Sequence, residues 1–502
     1  MLGFRLAAWA ALPLAIIPKP VKLTPGLGAY VLSPGYTIAA PHGAFVERGA
    51  LERELGIPAT EANGGPAAVK LVLSPADTAL GAEGYRLRSS LAGVEIDAAA
   101  PAGLFYGVQT LRQLALPDQG GWLVPAVQIV DHPRYRWRGL MLDCSRHFWT
   151  VPVIENLLDQ MARYKLNVFQ WHLTDDQGWR LEVPKYPKLT SVGAWRDGTM
   201  GRSDVSDGVV YGGFYTESDV RAVVGYAAER HIAVVPEIEM PGHCTAALAA
   251  YPELSCTGGP YQVAQRWGVH EDAFCLGHDR TFEFLKDVLD EVMELFPSND
   301  IHIDADEVPK ASWEECPRCQ ARMELMGFTS TTQLQSYFVK RLNAYVRVRG
   351  HRLVGWDDIL IGGLAPGAVV MSWHGDLGAV LAARQGNDAV MTPAAYCYFD
   401  HAQSPSEADD SAPGGLVTLQ KVYSLNPTPS VLTAKQGAHI LGVQGNVWTE
   451  YIDSPGRLQE MVFPRALALA EVAWSPQGLR NFPDFQRRLA AQSPASVSPS
   501  GS

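Results

Sequence analysis

Apolar and polar positions follow one rhythm up to about Val130 and another beyond it. From Ile17 to Val130, short stretches alternate apolar and polar residues between turn signals, the pattern of half-buried strands. Within them "EGYRLRSSLAGVEIDAAAPAGLFYGVQTLRQL" predicts strand, turn, strand and then a helix from about Ala102 to Leu114. This is a small α+β module. The proline and polar residues of "DHPRYRW", Asp131 to Trp137, place a domain boundary there. After it, β-branched apolar runs alternate with amphipathic helical stretches. Eight runs read as strands: Arg138 to Ser145, Leu166 to Asp175, Ile232 to Met240, Asp300 to Val308, His351 to Ile359, Ala368 to Gly375, Ala389 to Asp400 and His439 to Glu450. The helices between them are clearest in "VPVIENLLDQMARYK", "FEFLKDVLDEVMELF", "TTQLQSYFVKRLNAYVRV" and "LQEMVFPRALALAEVAW". The alternation predicts an α/β fold, a (β/α)8 TIM barrel with a small N-terminal α+β domain. The expected division is a leader segment at 1–16, an accessory domain at 17–130, the barrel at 131–486 and a disordered polar tail at 487–502.

Composition narrows the partners. Lys plus Arg number 41 against 53 Asp plus Glu, a net charge of −12. That balance disfavours nucleic acid and anionic membrane surfaces and better suits a neutral or small-molecule substrate. The opening "MLGFRLAAWAALPLAII" carries Arg5 and then an apolar run of signal-peptide length, too short to favour membrane insertion. It predicts export, to the periplasm or outside the cell; a cytoplasmic protein with an ordinary apolar N-terminus is the alternative. The seven cysteines do not form a disulfide scaffold in a chain of this length. Cys316-Pro-Arg-Cys319 lacks a second pair at zinc-ribbon spacing, so no metal and no cofactor are expected. Cys256 and Cys275 flank a loop and would pair in an oxidising compartment.

In such barrels the strand C-termini carry the chemistry, and here nearly every strand finishes in polar or aromatic residues. The first offers Arg138 at its start and Asp143, Arg146 and His147 at its end; the second ends in His172, Asp175 and Asp176; the third in Glu237 and Glu239, with His243 after a Pro-Gly turn. Trp356, Trp373, Tyr398 with Asp400, and Trp448 with Glu450 come from the last four strands. A flat aromatic beside a carboxylate serves a sugar ring, stacking on its apolar face and binding its hydroxyls. Singly, a strand tryptophan is more often core and a strand-end aspartate more often a helix cap; Arg138 alone would serve as a barrel-core ion-pair partner. Their joint occurrence argues for a site. In "IHIDADEVPK" a regular strand would set Asp304 and Asp306 on one face with His302. A retaining glycosidase usually holds its nucleophile and acid about 5 to 5.5 Å apart across the scissile bond. Asp306 and Glu307 are neighbours instead, which points to a substrate that supplies its own nucleophile.

At these residues the chain resembles glycoside hydrolase family 20, the exo-acting β-N-acetylhexosaminidases, over roughly Ile17 to Pro476. "RGLMLDCSRHF", "WHLTDDQGWR", "PEIEMPGH" and "DEVPKASW" are similar to the motifs of its first four strands, and "VGWDD", "SWHG", "YCYFD" and "GNVWTE" to its aromatic cage. The resemblance implies substrate-assisted retention, in which the 2-acetamido oxygen attacks its own anomeric carbon. It makes Glu307 the acid and base, Asp306 the acceptor of the acetamido N–H, and Tyr398 the donor to the acetamido oxygen. Arg138 would hold the 3- and 4-hydroxyls, Asp400 and Glu450 would contact the sugar, and Trp356, Trp373 and Trp448 would wall it. His243, with Asp175 or Asp176, would tune Glu307. Cys256 and Cys275 match a loop disulfide of some members. One departure stands out: where the family commonly has two glycines or Gly-Ala, this chain has Asp304 and Ala305. Two buried carboxylates there imply a raised pKa on one, or a pairing of Asp304 with His302. The alternatives are a lacto-N-biosidase-like relative and a non-catalytic GlcNAc-binding relative.

Overall fold

The structure is a computed structural model that describes residues 14–62, 64–202, 205–407 and 414–492. Most of the expected leader, and the tail from 493 on, lie outside the described residues. Eight parallel strands close into a barrel: β1 (Trp137–Asp143), β2 (Val168–His172), β3 (Ala233–Glu237), β4 (Asp300–His302), β5 (Arg352–Trp356), β6 (Val369–Ser372), β7 (Ala389–Met391) and β8 (Ile440–Val447), with β8 pairing back onto β1. Each falls on one of the apolar runs, β1 starting one residue earlier than its run. Strands covered by helices outside and by one another inside are buried on both faces, so β1 and β8 are buried throughout and read as continuous apolar runs.

Several strands are shorter than their runs suggested. β4 stops at His302, β7 at Met391 and β8 at Val447. The residues beyond are loops, so Tyr398 and Asp400, and Trp448 and Glu450, are not strand pairs sharing a face. Tyr398 instead follows the short helix Ala394–Cys397 and makes a single bridge to Asn446.

Trp137, Val168, Val235, Val354, Val369, Val390 and Leu441 form an inner core within the barrel, and Trp356 completes it above. Beside this apolar plug runs a file of amides. Trp137 Nε1 donates to Gln444 Oε1 (3.1 Å), Gln444 Nε2 donates to Gln170 Oε1 (2.8 Å), and Gln170 Nε2 donates to Glu237 Oε2 (2.7 Å). Gly139 makes room for it, since a Cβ there would meet Gln444 Oε1 at 2.4 Å.

The accessory domain packs a sheet of eight strands, among the described residues, against the helices Phe45–Leu55 and Pro101–Leu114. It meets the barrel through buried ion pairs. Lys165 Nζ lies 3.0 Å from Asp131 Oδ2 and donates to Tyr85 Oη (2.8 Å), while Trp474 Nε1 donates to Asp131 Oδ1 (2.9 Å). At the other end of the chain, the helix Phe482–Ala491 includes residues 487–491, which composition assigned to the tail. Arg488 holds it by a bidentate pair on fully buried Glu471, both contacts 2.7 Å. Among the described residues no helix is long and apolar enough to cross a membrane. All seven cysteines are free thiols, so Cys256 and Cys275 are not bonded to each other.

Candidate active site

The loop after β4 sets the site. Asp304, Ala305 and Glu307 have φ of 62°, 71° and 46°, so the chain coils left-handed where an extended strand was expected. The turn is tied down: Asp304 N–H points to His302 Nδ1 (3.0 Å), and Asp304 O accepts from Trp356 N–H (3.0 Å). Left-handed backbone is costly for residues with a Cβ and least so for Asn and Asp. That explains why small residues suit this motif and why an aspartate at position 304 carries less strain there than a bulkier or β-branched residue would. The turn delivers Asp304, Asp306 and Glu307 to one cavity of about 310 Å³, at the small end of ligand pockets, which run from about 300 to 1,000 Å³.

His243 is the hub beside them. Its Nδ1 lies 3.1 Å from Asp176 Oδ2 and 3.5 Å from Asp175 Oδ1, and its Nε2 lies 3.5 Å from Glu307 Oε2 and 4.0 Å from Asp306 Oδ1. Of the two aspartates, Asp176 is the nearer and is itself fixed, accepting from Thr245 N–H (2.9 Å) and Thr245 Oγ1 (2.6 Å). Asp175 serves mainly as the partner of Arg146, 2.7 Å away, and of His172, 3.1 Å away. Both acids belong to the network, with different tasks.

Arg138 does not reach the cavity. It sits at the start of β1, at the opposite end of the barrel, fully buried against Glu83 of the accessory domain (2.6 Å), with its Nε on Lys165 O (2.7 Å). The arginine in the cavity is Arg146, eight residues on, held by Asp143 and Asp175 and lying over the Trp448 ring at 5.1 Å. The strand-end rule was enough to separate the two, because only Arg146 follows the C-terminus of β1.

Trp373, Tyr398 and Trp448 line the cavity with Asp400 and Glu450. The Trp373 and Tyr398 rings stack at 6.2 Å and 21°. Trp356 is not a wall of the cavity; it is fully buried beneath it, its ring 6.1 Å from Trp448 and 4.8 Å from His302. The cavity also includes Glu239, which the sequence offered only as a strand-end acid, and His401 and Tyr451, which residue patterns did not single out. Asp304 Oδ2, Glu239 Oε2 and Asp400 Oδ1 are buried without a hydrogen-bond partner in the protein.

Crowded carboxylates dominate the electrostatics. Burial and the Asp304 charge raise Asp306 well above the ordinary range, against the opposing pull of His243, and the same two causes raise Glu239. Burial and Glu450 raise Asp400. Burial disfavours the charge on His243, but Asp175, Asp176 and Glu307 outweigh it and raise its pKa. Glu307 is lowered by its hydrogen bond to His243. His172, also buried, is pushed up to about 10 by Glu237 and Asp175. His302 does not pair with the Asp304 carboxylate; its Nδ1 lies 3.0 Å from Glu237 Oε1. Of Asp304 and Asp306, the carboxylate with the raised pKa is therefore Asp306.

Comparison with known proteins agrees with this geometry. Residues 135–477 match the glycosyl hydrolase family 20 catalytic domain, and residues 14–132 match domain 2 of that family. A beta-hexosaminidase of Porphyromonas gingivalis is 46% identical over 81% of this chain, which spans about half (52%) of that relative. A beta-N-acetylhexosaminidase of Cellulomonas fimi is 36% identical, covering 96% of this chain and 94% of its own. Among solved structures, the exo beta-N-acetylglucosaminidase of Vibrio harveyi in complex with N-acetylglucosamine superposes with a TM-score of 0.87 at 32% identity, over 96% of this chain and 77% of the other. The N-acetyl-beta-hexosaminidase of Streptomyces plicatus gives 0.84 at 34% identity, over 96% and 95%. The chain belongs to glycosyl hydrolase family 20.

Proposed function

We propose that this chain is an exo-acting β-N-acetylhexosaminidase that releases terminal β-linked GlcNAc or GalNAc by substrate-assisted, retaining hydrolysis. The carrying observation is that one turn presents Asp306 and Glu307 side by side to a cavity of about 310 Å³, with Glu307 backed by His243 and Asp176. Sugar-bound relatives of the same fold support the reading.

In this mechanism Arg146 takes the ring hydroxyls in place of Arg138, and Asp400 and Glu450 take others. Trp373, Tyr398 and Trp448 enclose the sugar. Tyr398 donates to the 2-acetamido oxygen, which attacks the anomeric carbon as the glycosidic C–O bond breaks. Asp306, as carboxylate, accepts the acetamido N–H and faces the positive charge that develops on the oxazolinium. Glu307 gives a proton to the departing oxygen, then takes one from the water that opens the intermediate. In the free site Glu307 is ionised against a protonated His243, so the pair already holds the proton that the leaving group needs. Sugar binding excludes water from Glu307 and favours its transfer from His243 Nε2 to the carboxylate.

Glu307→Gln tests the assignment on an aryl β-GlcNAc with a poor leaving group. The expected loss in kcat is about 10²- to 10⁴-fold. A variant that keeps the wild-type rate overturns it.

A further inference from the structure

Four cysteines from two different loops meet at one point. Cys256 and Cys275 lie in the loop after β3; Cys316 and Cys319 lie at the head of the helix Pro317–Met326, in the loop after β4. The sulfurs of Cys256 and Cys319 are 3.8 Å apart, those of Cys275 and Cys316 3.8 Å, and those of Cys275 and Cys319 3.7 Å, with all four within 4.8 Å of one another. A disulfide needs about 2.05 Å. Sulfurs at the corners of a tetrahedron around an ion with zinc–sulfur bonds of about 2.3 Å are about 3.8 Å apart. A single pair of thiols in van der Waals contact reaches the same spacing. Four converging on one point do not do so without a reason.

We propose that Cys256, Cys275, Cys316 and Cys319 form a structural tetrathiolate site for one zinc ion, which staples the loop after β3 to the loop after β4. The surroundings suit an anionic centre. Cys316 is the N-cap and Cys319 lies in the first turn of a ten-residue helix, where backbone N–H groups favour thiolate. Arg318, in the same turn, donates to Ser255 O (2.9 Å) and Cys256 O (3.2 Å) and so brings positive charge to the sulfurs. The two loops also approach more closely than a side chain would allow. A Cβ on Gly277 would meet the Arg318 carbonyl carbon at 2.2 Å and Cys319 N at 2.3 Å. Cys275, Cys316 and Cys319 are buried and Cys256 is half-buried. Four protein ligands leave no position for substrate or water, which is the structural rather than the catalytic kind of zinc site.

Residue spacing hid the site, because Cys256 and Cys275 do not form a second C-x-x-C pair. The consequence reaches the catalytic groups through the backbone. The stapled loop donates from Ala264 N–H to Asp176 O (3.0 Å) and from Phe274 N–H to Pro241 O (2.9 Å), while Trp313 Nε1, from the other loop, donates to Phe274 O (2.9 Å). The ion would thus hold the segment carrying His243 against the segment carrying Glu307. On binding, the four thiols release their protons to solvent.

The test is metal analysis of the full chain purified without a metal-affinity tag. About one zinc per chain is expected, retained through dialysis against EDTA, released by an organomercurial, and replaceable by cobalt with the visible absorption of a tetrahedral tetrathiolate. Cys319→Ser and Cys256→Ser should each lower bound zinc about tenfold after a chelator wash, whereas Cys397→Ser should leave it unchanged. If Cys319→Ser does not fold, Cys256→Ser, at the most exposed of the four positions, gives the same readout. The proposal is overturned by a chain without metal whose seven thiols all titrate in denaturant. It is equally overturned if only Cys144, Cys244 and Cys397 titrate because the cluster has formed disulfides, if iron replaces zinc, or if Cys256→Ser keeps full zinc.

Discussion

Asp304 is the residue that most alters the chemistry of this site. It occupies left-handed backbone, φ 62°, beside Asp306, and its charge, after burial, is the main cause that raises the Asp306 pKa. The proposed mechanism needs Asp306 as a carboxylate, so under it the acid limb of kcat/KM is set by a pKa that burial, Asp304 and Glu307 raise and His243 lowers. Asp304→Gly removes the nearest negative charge and relieves the backbone. The acid limb of kcat/KM should move to lower pH by about one unit, and unfolding free energy should rise by about 1 kcal/mol. An acid limb that stays in place would show that Asp304 does not control Asp306. The sequence exposed Asp304 as out of place but not how, because alternation along an assumed strand says nothing of a left-handed turn. The acids at the site, the histidine and most of the aromatic residues were legible as chemistry at strand ends.

At the scale of an element, β1 carries an arginine at its start and another just past its end, and they serve different ends of the barrel. Arg138 is fully buried on Glu83, the Lys165 and Tyr135 carbonyls and Tyr106 Oη. Arg138→Met leaves Glu83 and those carbonyls without their donor, and should cost about 3 kcal/mol of stability in chemical denaturation while KM for an aryl β-GlcNAc stays unchanged. A raised KM with normal stability would return Arg138 to the sugar. Motif matching confused the two arginines because both fall within "RGLMLDCSRHF"; strand direction separates them. The same limit applied to β4, β7 and β8. Apolar periodicity found each strand, but not where it stops, since the polar residues after it continue the alternation by chance.

For the whole molecule, the site is a set of groups that the fold holds in their protonated forms. The carboxylates Asp306, Glu239, Asp400 and Glu450, and the histidines His172 and His243, have folded pKa values above their unfolded ones. Each contributes stability that is complete below its unfolded pKa and is lost as pH rises through the folded value. Asp175, Glu237 and Glu307 are lowered and act in the opposite sense, losing their contribution as pH falls through the acid range, and His147 and His401, lowered by burial, lose theirs as pH falls below the unfolded histidine value. Thermal stability without ligand should therefore decline from about pH 7 to about pH 9, where His172 and His243 give up the protons that folding holds on them. A scan of Tm against pH that rises across this interval would contradict that assignment of charges. The barrel and the accessory domain were legible because buried parallel strands and half-buried strands leave distinct periodicities; the buried ion pairs joining them were not, because their partners are far apart in the chain.

The file of amides from Trp137 through Gln444 and Gln170 to Glu237 bears on how the barrel closes. These side chains come from β1, β8, β2 and β3, and each is satisfied only when all four strands stand in their native register. A slip of β8 by one residue turns Gln444 out of the lumen and strands the buried amide of Gln170, at a cost of about 1 to 3 kcal/mol for each orphaned group. An apolar lumen would accept several near-equivalent closures; this one works as a combination lock, rewarding a single alignment of the first and last strands. Closure is thereby coupled to the placing of Glu237 between His172 and His302, so the floor of the catalytic cavity is assembled in the same event that completes the fold.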